Sequence, residues 1–199
     1  MSTKPSMSFV KMFDLVYTYN FVKATFSDRL LIGIFWEESM FNNTFQVGGG
    51  TGVGFGQVEP AEFSRMEEFG LMPPPSEKVH GRTRATRALS DKEAVQSAAA
   101  LLGSMFKRLG GNRTSVLRGY AGYQWALANP GIAKPTANQR LSIIAGWEAC
   151  ELKLRDIYPF RRPDRAEQDV ILDGLNKARP FGARREEMRG LLFRDSDYQ

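Results

Sequence analysis

The chain has almost none of the residues on which many secreted and metal-dependent proteins rely. Cys150 is the only cysteine, so no internal disulfide can form and the core must hold the fold. We interpret Cys150, at helical spacing from Trp147, as a small buried hydrophobe. His80 is the only histidine, which excludes zinc sites with several histidines and any catalytic triad that needs a second one. We interpret His80 as a solvated loop residue, and we expect no metal and no other cofactor.

Long apolar segments are missing as well. The longest apolar stretch runs from Leu30 to Trp36, far short of the roughly 18 residues of a membrane-spanning helix, so membrane insertion is not expected. Residues 17–20 are Tyr, Thr, Tyr and Asn, where a signal peptide would need an apolar run. We therefore expect no conventional secretory signal and synthesis in the cytoplasm.

What the chain does carry is a basic excess, 27 Lys and Arg against 22 Asp and Glu, a net charge of +5. A basic protein is attracted to polyanions, among them nucleic acids, anionic lipid surfaces and the bacterial cell wall. The basic residues are scattered, and no aromatic residues are interleaved with them as stacking platforms. This pattern argues against dedicated nucleic-acid binding, so no nucleic-acid partner is expected.

The 199 residues are interpreted as one mainly α-helical domain, because no internal repeat and no long linker divides them. Apolar periodicity and helix start and stop signals predict helices over 9–26, 28–41, 60–69, 90–109, 113–120 and 136–157, with short helices from Asp164 and from about Ala183. Three of these helices begin with capping boxes, formed by Ser90 with Glu93, Thr136 with Gln139, and Asp164 with Glu167.

Two segments interrupt the helical pattern. Six glycines in the nine residues 48–56 exclude a stable helix and predict a loop or small β-hairpin in which the backbone approaches another group. From Met72 to Leu89, three consecutive prolines and several arginines predict an exposed loop.

Glu38 is the residue that best fits a glycan-cleaving acid. Such an acid must protonate a leaving oxygen near neutral pH, so a partly apolar setting has to raise its pKa. Glu38 follows Ile34 by four residues and Leu31 by seven, which predicts a place on the buried face at the end of an apolar helix. Judged by composition alone, two glutamates before a glycine-rich segment are more commonly a solvated helix end followed by a flexible loop than a catalytic site.

The order of several motifs adds to this interpretation. Glu38 and Ser39 are followed, after about a dozen residues, by the run Gly54 to Val58, and an alanine-rich helix and a glycine turn later lead to Tyr120. This order resembles the soluble lytic transglycosylases and goose-type lysozymes of the lysozyme-like superfamily. The resemblance covers about residues 30–123. The chain departs from the family pattern at two points, since one residue is missing before Gln57 and no asparagine follows Tyr120.

The resemblance implies a lysozyme-like helical domain with its catalytic motifs within 27–123, completed by C-terminal helices over 124–199. It implies Glu38 as the general acid, and substrate contacts from Ser39, Phe55, Gly56, Gln57 and Tyr120. As the group that positions an attacking water it implies Glu59, with Thr51 as another candidate. The alternative for Glu59 is an ordinary carboxylate at a helix start, favoured there by the helix dipole.

The implied activity is that of a bacteriolytic muramidase, which hydrolyses the β-1,4 bond between MurNAc and GlcNAc in peptidoglycan. One alternative is a lytic transglycosylase, in which the 6-hydroxyl of the sugar attacks and leaves a 1,6-anhydro end. Others are a chitinase or chitosanase, a non-catalytic wall-binding protein and, from another class, a nucleic-acid-binding module.

Without a secretory signal, such an enzyme would need another route to the periplasm or cell wall. Phage endolysins pass through holin pores, and antibacterial effectors are injected into a target bacterium by type VI secretion. An injected effector implies a cognate immunity protein as partner. In either case we expect the protein to be a monomer.

Overall fold

A computed structural model of the protein describes residues 4–46, 50–120, 142–144, 146–148 and 161–198. Across these ranges the protein is mainly α-helical with a small antiparallel sheet, as predicted. The α-helices are α1 (Phe9–Tyr19), α2 (Asp28–Ser39), α3 (Asp91–Arg108), α4 (Arg113–Tyr120), α5 (Arg165–Ala178) and α6 (Arg185–Leu192). Short 3-10 helices span Pro60–Phe69, Gly182–Arg184 and Asp195–Tyr198. The strands are β1 (Ser76–Val79) and β2 (Arg82–Ala85).

The central helix is α2. Ser27 caps its start by accepting a hydrogen bond from the backbone N–H of Leu30 at 3.3 Å. Every residue of α2 from Leu30 to Glu37 is buried, and α1 and α5 both pack against the helix. This enclosure explains why the sequence has a continuous apolar run here rather than an apolar stripe.

The predicted helix over 9–26 is wrong in its second half, because Asn20 ends α1. The Asn20 side-chain amide donates to the carbonyl of Phe26 and to the Asp28 carboxylate, both at 2.9 Å. These bonds hold a tight turn between α1 and the start of α2, which a continuous helix could not make.

Two predicted capping boxes are confirmed. Ser90 and Glu93 exchange side-chain and backbone hydrogen bonds at the start of α3, and Asp164 and Glu167 do the same at the start of α5. The third box, at Thr136, lies outside the described residues, as do Cys150 and most of the helix predicted over 136–157. The described pieces of that helix, 142–144 and 146–148, are helical.

The carboxylate of Glu148 links the starts of α2 and α4. It accepts a hydrogen bond from the Ser27 hydroxyl and forms an ion pair with Arg113, the first residue of α4. Next to it, Trp147 occupies space beside Gly33, where an added Cβ would lie 3.1 Å from the indole ring. The two helices are thus fixed at one end, and their other ends carry Glu38 and Tyr120.

The segment from Met72 to Leu89 contains a β-hairpin, which corrects the prediction that it is a loop. His80 and Gly81 connect β1 to β2 with positive φ angles of 48° and 78°, a combination typical of a two-residue hairpin turn. The predicted exposure is confirmed for most of the segment, including His80. In the described part of the glycine-rich segment and its flanks, by contrast, the pairing consists of isolated β-bridges, between Phe45 and Val53 and between Val53 and Val58.

The described helices share one hydrophobic core. Its largest fully buried side chains come from separate parts of the chain, among them Trp36, Phe26, Phe35, Phe41, Phe55, Phe63 and Phe193. The segment Pro60–Phe69 is helical as predicted, from Pro60 at its first turn to Gly70 after its end, but it is a 3-10 helix.

Candidate active site

Glu38 lies in the last turn of α2, and its side chain is partly exposed, whereas the neighbouring Glu37 is only 6% exposed. The sequence predicts Glu38 on the buried face at this helix end, and the structure shows it partly exposed beside the more deeply buried Glu37. Because α2 is enclosed on nearly all sides, Glu37 also points into protein. Glu38 thus keeps part of its surface exposed at the end of an otherwise buried helix.

A strained turn follows Glu38. Met40 and Phe41 have positive φ angles of 53° and 60°, a conformation that is uncommon outside glycine. Asn42 stabilises the turn by donating its side-chain amide to the carbonyls of Ser39 at 2.7 Å and Met40 at 3.1 Å. Backbone strain that is held by surrounding bonds is typical of functional sites.

The Ser39 hydroxyl belongs to this turn. It donates to the carbonyl of Phe35 at 3.0 Å and accepts from the backbone N–H of Asn42 at 3.2 Å. Ser39 itself is buried, with 9% of its surface exposed. Its position therefore matches a helix-end role, and a substrate contact would require these bonds to be exchanged.

The glycine-rich segment folds back on itself near α2. Gly54 and Gln57 both have positive φ angles, 76° and 49°, and Val53 pairs with Val58 across the resulting turn. The side-chain amide of Gln57 donates to the carbonyls of Gly54 at 2.8 Å and Thr44 at 3.2 Å. Gln57 thus holds the loop together through its nitrogen, and its predicted role in binding sugar stays a prediction.

Phe55 is a core residue, which corrects its proposed role in substrate binding. Its side chain is fully buried, and the centroid of its ring lies 5.7 Å from the centroid of the Phe35 ring in α2. A fully buried ring cannot contact a sugar in this conformation. Its function is to anchor the glycine-rich segment against the helix that carries Glu38.

Tyr120 and Gly56 are in direct contact. The Tyr120 hydroxyl donates to the carbonyl oxygen of Gly56 at 2.8 Å. A Cβ added at Gly56 would lie only 2.4 Å from that hydroxyl oxygen and 3.1 Å from the Cβ of Ala98. Glycine is therefore required at position 56 for close approach to Tyr120, and the missing side chain does not create a wall open to substrate.

The electrostatics around Tyr120 connect it to Glu38. Burial of the hydroxyl raises the pKa of Tyr120 well above its ordinary value, and the negative charges of Glu38 and then Glu37 raise it further. The Tyr120 ring keeps some exposed surface, but its hydroxyl lies inside the protein. A Cβ added at Gly56 would also lie 3.2 Å from the ring of Phe35, so Tyr120 and Gly56 lie against the last turns of α2, the helix that carries Glu37 and Glu38.

The positions of Glu59 and Thr51 give little support to their predicted role in positioning an attacking water. Glu59 is exposed and immediately precedes the 3-10 helix that begins at Pro60, with no hydrogen bond from its side chain to the helix start. This agrees with an ordinary carboxylate at a helix start. Thr51 is partly buried within the glycine-rich segment.

Arg179, which sequence reasoning did not identify, supports the end of α2. Its guanidinium donates to the carbonyl of Glu37 at 3.0 Å, and the Trp36 indole donates to the carbonyl of Arg179 at 3.3 Å. These partners are separated by more than 140 positions. No local pattern in the sequence could have indicated the contact.

Within the part of the chain that the structure describes, no group of three or more potential ligands is placed to hold a metal ion. No helix in the same part is long and apolar enough to cross a membrane. No family model, curated protein or solved structure matches this chain.

Proposed function

We propose that the protein cleaves the β-1,4 bond between MurNAc and GlcNAc in peptidoglycan, with Glu38 as its general acid. The observation that carries this proposal is the meeting of three separate motifs at one place. The Tyr120 hydroxyl is bonded to Gly56 and lies close enough to Glu38 for its pKa to respond to that carboxylate. These motifs are the ones on which the resemblance to lysozyme-like enzymes depends.

The chemistry assigned to Glu38 requires a proton donor that a substrate can reach. In the proposed reaction Glu38 gives its proton to the glycosidic oxygen as the bond to the anomeric carbon breaks, leaving an oxocarbenium-like sugar. The partial exposure of Glu38 fits this role. Because the pKa of Tyr120 is raised, its hydroxyl stays neutral beside the site and acts as a fixed dipole.

The charge of the protein supports an anionic wall as the partner. A net charge of +5 favours association with the peptide carboxylates of peptidoglycan and disfavours cationic chitosan. Transport through a holin pore or by type VI secretion, and binding by an immunity protein, remain parts of the proposal that depend on this activity.

Transglycosylation is the second candidate reaction, and the position of Glu59 favours it. An exposed carboxylate beside Pro60 looks like a helix-start residue, which leaves Glu38 as the only assigned catalytic carboxylate. In that reaction the same Glu38 would first donate a proton and then accept one from the attacking 6-hydroxyl.

Purified sacculi test the proposal directly. An active enzyme releases soluble muropeptides, whereas a wall-binding protein only co-sediments with the sacculi. Mass spectrometry then separates the reactions, because hydrolysis gives reducing ends and transglycosylation gives anhydro products that are lighter by one water. Sacculi that bind the protein and release nothing would contradict the proposed activity.

A further inference from the structure

The hairpin formed by β1 and β2 is basic, with Lys78, Arg82 and Arg84 against one carboxylate, that of Glu77. Its register pairs Glu77 with Arg84 and Val79 with Arg82, and the hydrogen bond from Thr86 N–H to the carbonyl of Pro75 at 3.2 Å continues the pairing beyond the strands. Strand β2 packs beside the 3-10 helix that starts directly after the glycine-rich segment. The hairpin is therefore connected to the candidate active site by a short, structured path.

The cations of the hairpin differ from most other basic residues of the described ranges in having no bonding partner within those ranges. Most Lys and Arg side chains there form an ion pair, a hydrogen bond or a contact with an aromatic ring, as Arg87 does with Glu93. Within those ranges, the exceptions with no such partner are Lys78, Arg82, Arg84, Arg118 and Lys177. Three of these five lie in the ten residues of the hairpin, and all three are exposed.

The arrangement of these cations indicates the kind of ligand. Arg82 and Arg84 alternate with Thr83 along β2, so both point to the same face, about 7 Å apart at the strand rise of roughly 3.4 Å per residue. Glu77, the cross-strand partner of Arg84, is the one carboxylate on this face of the hairpin. Arginine presents a planar set of donors that matches a phosphate group, and two such residues in a row suit a chain of repeated phosphates.

The composition of the hairpin argues against other anionic partners. From Ser76 to Ala85 there is no Phe, Tyr or Trp on which a nucleobase could stack and no Asn or Gln to read a base edge, and the one ring, that of His80, lies at the turn. Its larger aliphatic residue, Val79, is partly buried, so the hairpin offers little to insert into a lipid surface.

We propose that the β1–β2 hairpin binds the phosphate groups of a linear phosphodiester polymer attached to the bacterial wall. The choice of a wall polymer rests on the proposed glycosidase function, while the preference for phosphate rests on Arg82 and Arg84. Such a contact would hold the enzyme at the wall while Glu38 acts on the glycan.

Purified poly(glycerol phosphate) is a suitable probe. We expect the double variant Arg82→Gln/Arg84→Gln to bind it roughly tenfold more weakly at low salt than the parent protein. The slope of log affinity against log salt should fall by about 1.5, since two phosphate contacts are lost.

The matched control is Arg118→Gln/Lys177→Gln, which removes the same charge from two other unpartnered cations and should bind within about twofold of the parent. Equal losses in both double variants would show a general charge effect and overturn the proposal.

Two further measurements distinguish the possible partners and separate this proposal from the enzymatic one. Tighter binding of the parent protein to anionic vesicles or duplex DNA, with the same dependence on Arg82 and Arg84, would overturn the choice of partner. On sacculi from which the phosphodiester polymer has been stripped, the Arg82→Gln/Arg84→Gln variant should release muropeptides at the parent rate. If neither protein releases muropeptides but the hairpin still binds the polymer, the glycosidase proposal fails and the hairpin proposal stands.

Discussion

The Tyr120 hydroxyl is hydrogen-bonded to the carbonyl of Gly56 at 2.8 Å, across 64 positions of the sequence. This bond joins the end of α4 to the glycine-rich segment beside Glu38. Because a Cβ at position 56 would lie 2.4 Å from the hydroxyl oxygen, the two residues are matched in size as well as in hydrogen bonding. The first two predictions follow from this pair.

Gly56→Ala should destabilise the protein by about 2 kcal/mol, since its methyl group would overlap the Tyr120 hydroxyl. Urea unfolding measures the loss. The control is Gly190→Ala in α6, where an added Cβ meets nothing within 4 Å. The strain should fall by about half when Gly56→Ala is combined with Tyr120→Phe, because the clashing oxygen is gone. Strictly additive losses in the double variant would argue against the proposed contact.

Tyr120→Phe alone should cost about 1 to 2 kcal/mol, because it leaves the Gly56 carbonyl without this partner. If the hydroxyl also organises the site around Glu38, turnover on sacculi should fall about tenfold while binding changes little. Tyr17→Phe, at a residue that is 40% exposed, serves as the control and should be nearly neutral. Full activity at a reduced stability would limit Tyr120 to a structural role.

Glu38→Gln should abolish release of muropeptides while the unfolding midpoint stays close to that of the parent. Glutamine has nearly the same volume but cannot donate the proton, and loss of general acid catalysis typically costs about 10²- to 10⁴-fold in rate. Glu67→Gln, at an exposed position in the 3-10 helix, should keep full activity. Glu37→Gln is a poor control because Glu37 is buried. A Glu38→Gln protein that clears sacculi at the parent rate would remove the basis of the catalytic assignment.

Glu59→Gln distinguishes the two candidate reactions. If Glu59 positions the attacking water, turnover should fall at least tenfold with little change in KM, and the products should carry reducing ends. If the protein is a transglycosylase, the variant should be fully active and mass spectrometry should show anhydro ends. The exposed position of Glu59 before Pro60 favours the second outcome.

The capping box of α3 should make stability depend on pH in the acid range. Hydrogen bonds from Arg87 hold the pKa of Glu93 at about 2, below its ordinary value of 4.5. A lowered pKa in the folded state means that the stabilisation is complete above pH 4.5 and is lost as the pH falls towards 2. Glu93→Gln should therefore cost about 1 kcal/mol at pH 7, and this difference should shrink between pH 4.5 and 2. Urea unfolding at several pH values measures this, with Glu77→Gln as the exposed control; a difference that did not change with pH would contradict the assignment.

Local signals in the sequence were sufficient for most of the helices. Ser90 with Glu93 and Asp164 with Glu167 start α3 and α5 as predicted, because a capping box satisfies the backbone groups of its own first turn. The turn at His80 and Gly81 was missed, although glycine after a residue that tolerates positive φ is a recognisable hairpin signal. The three prolines that favour a loop in this segment lie at positions 73–75, directly before β1, where they do not interrupt the pairing of the strands.

The sequence by itself determined the helical class, the absence of disulfides and the choice of Glu38 as the residue to test. These properties depend on composition and on contacts within a few residues. Tertiary structure alone decided that Phe55 is a core residue, that Glu37 is more buried than Glu38, and that Gly56 receives the Tyr120 hydroxyl. The physical reason is that burial and close approach depend on which helices enclose a position. At the end of α2 those neighbours are Tyr120, the last residue of α4, and Arg179, directly after α5, both far away in the chain.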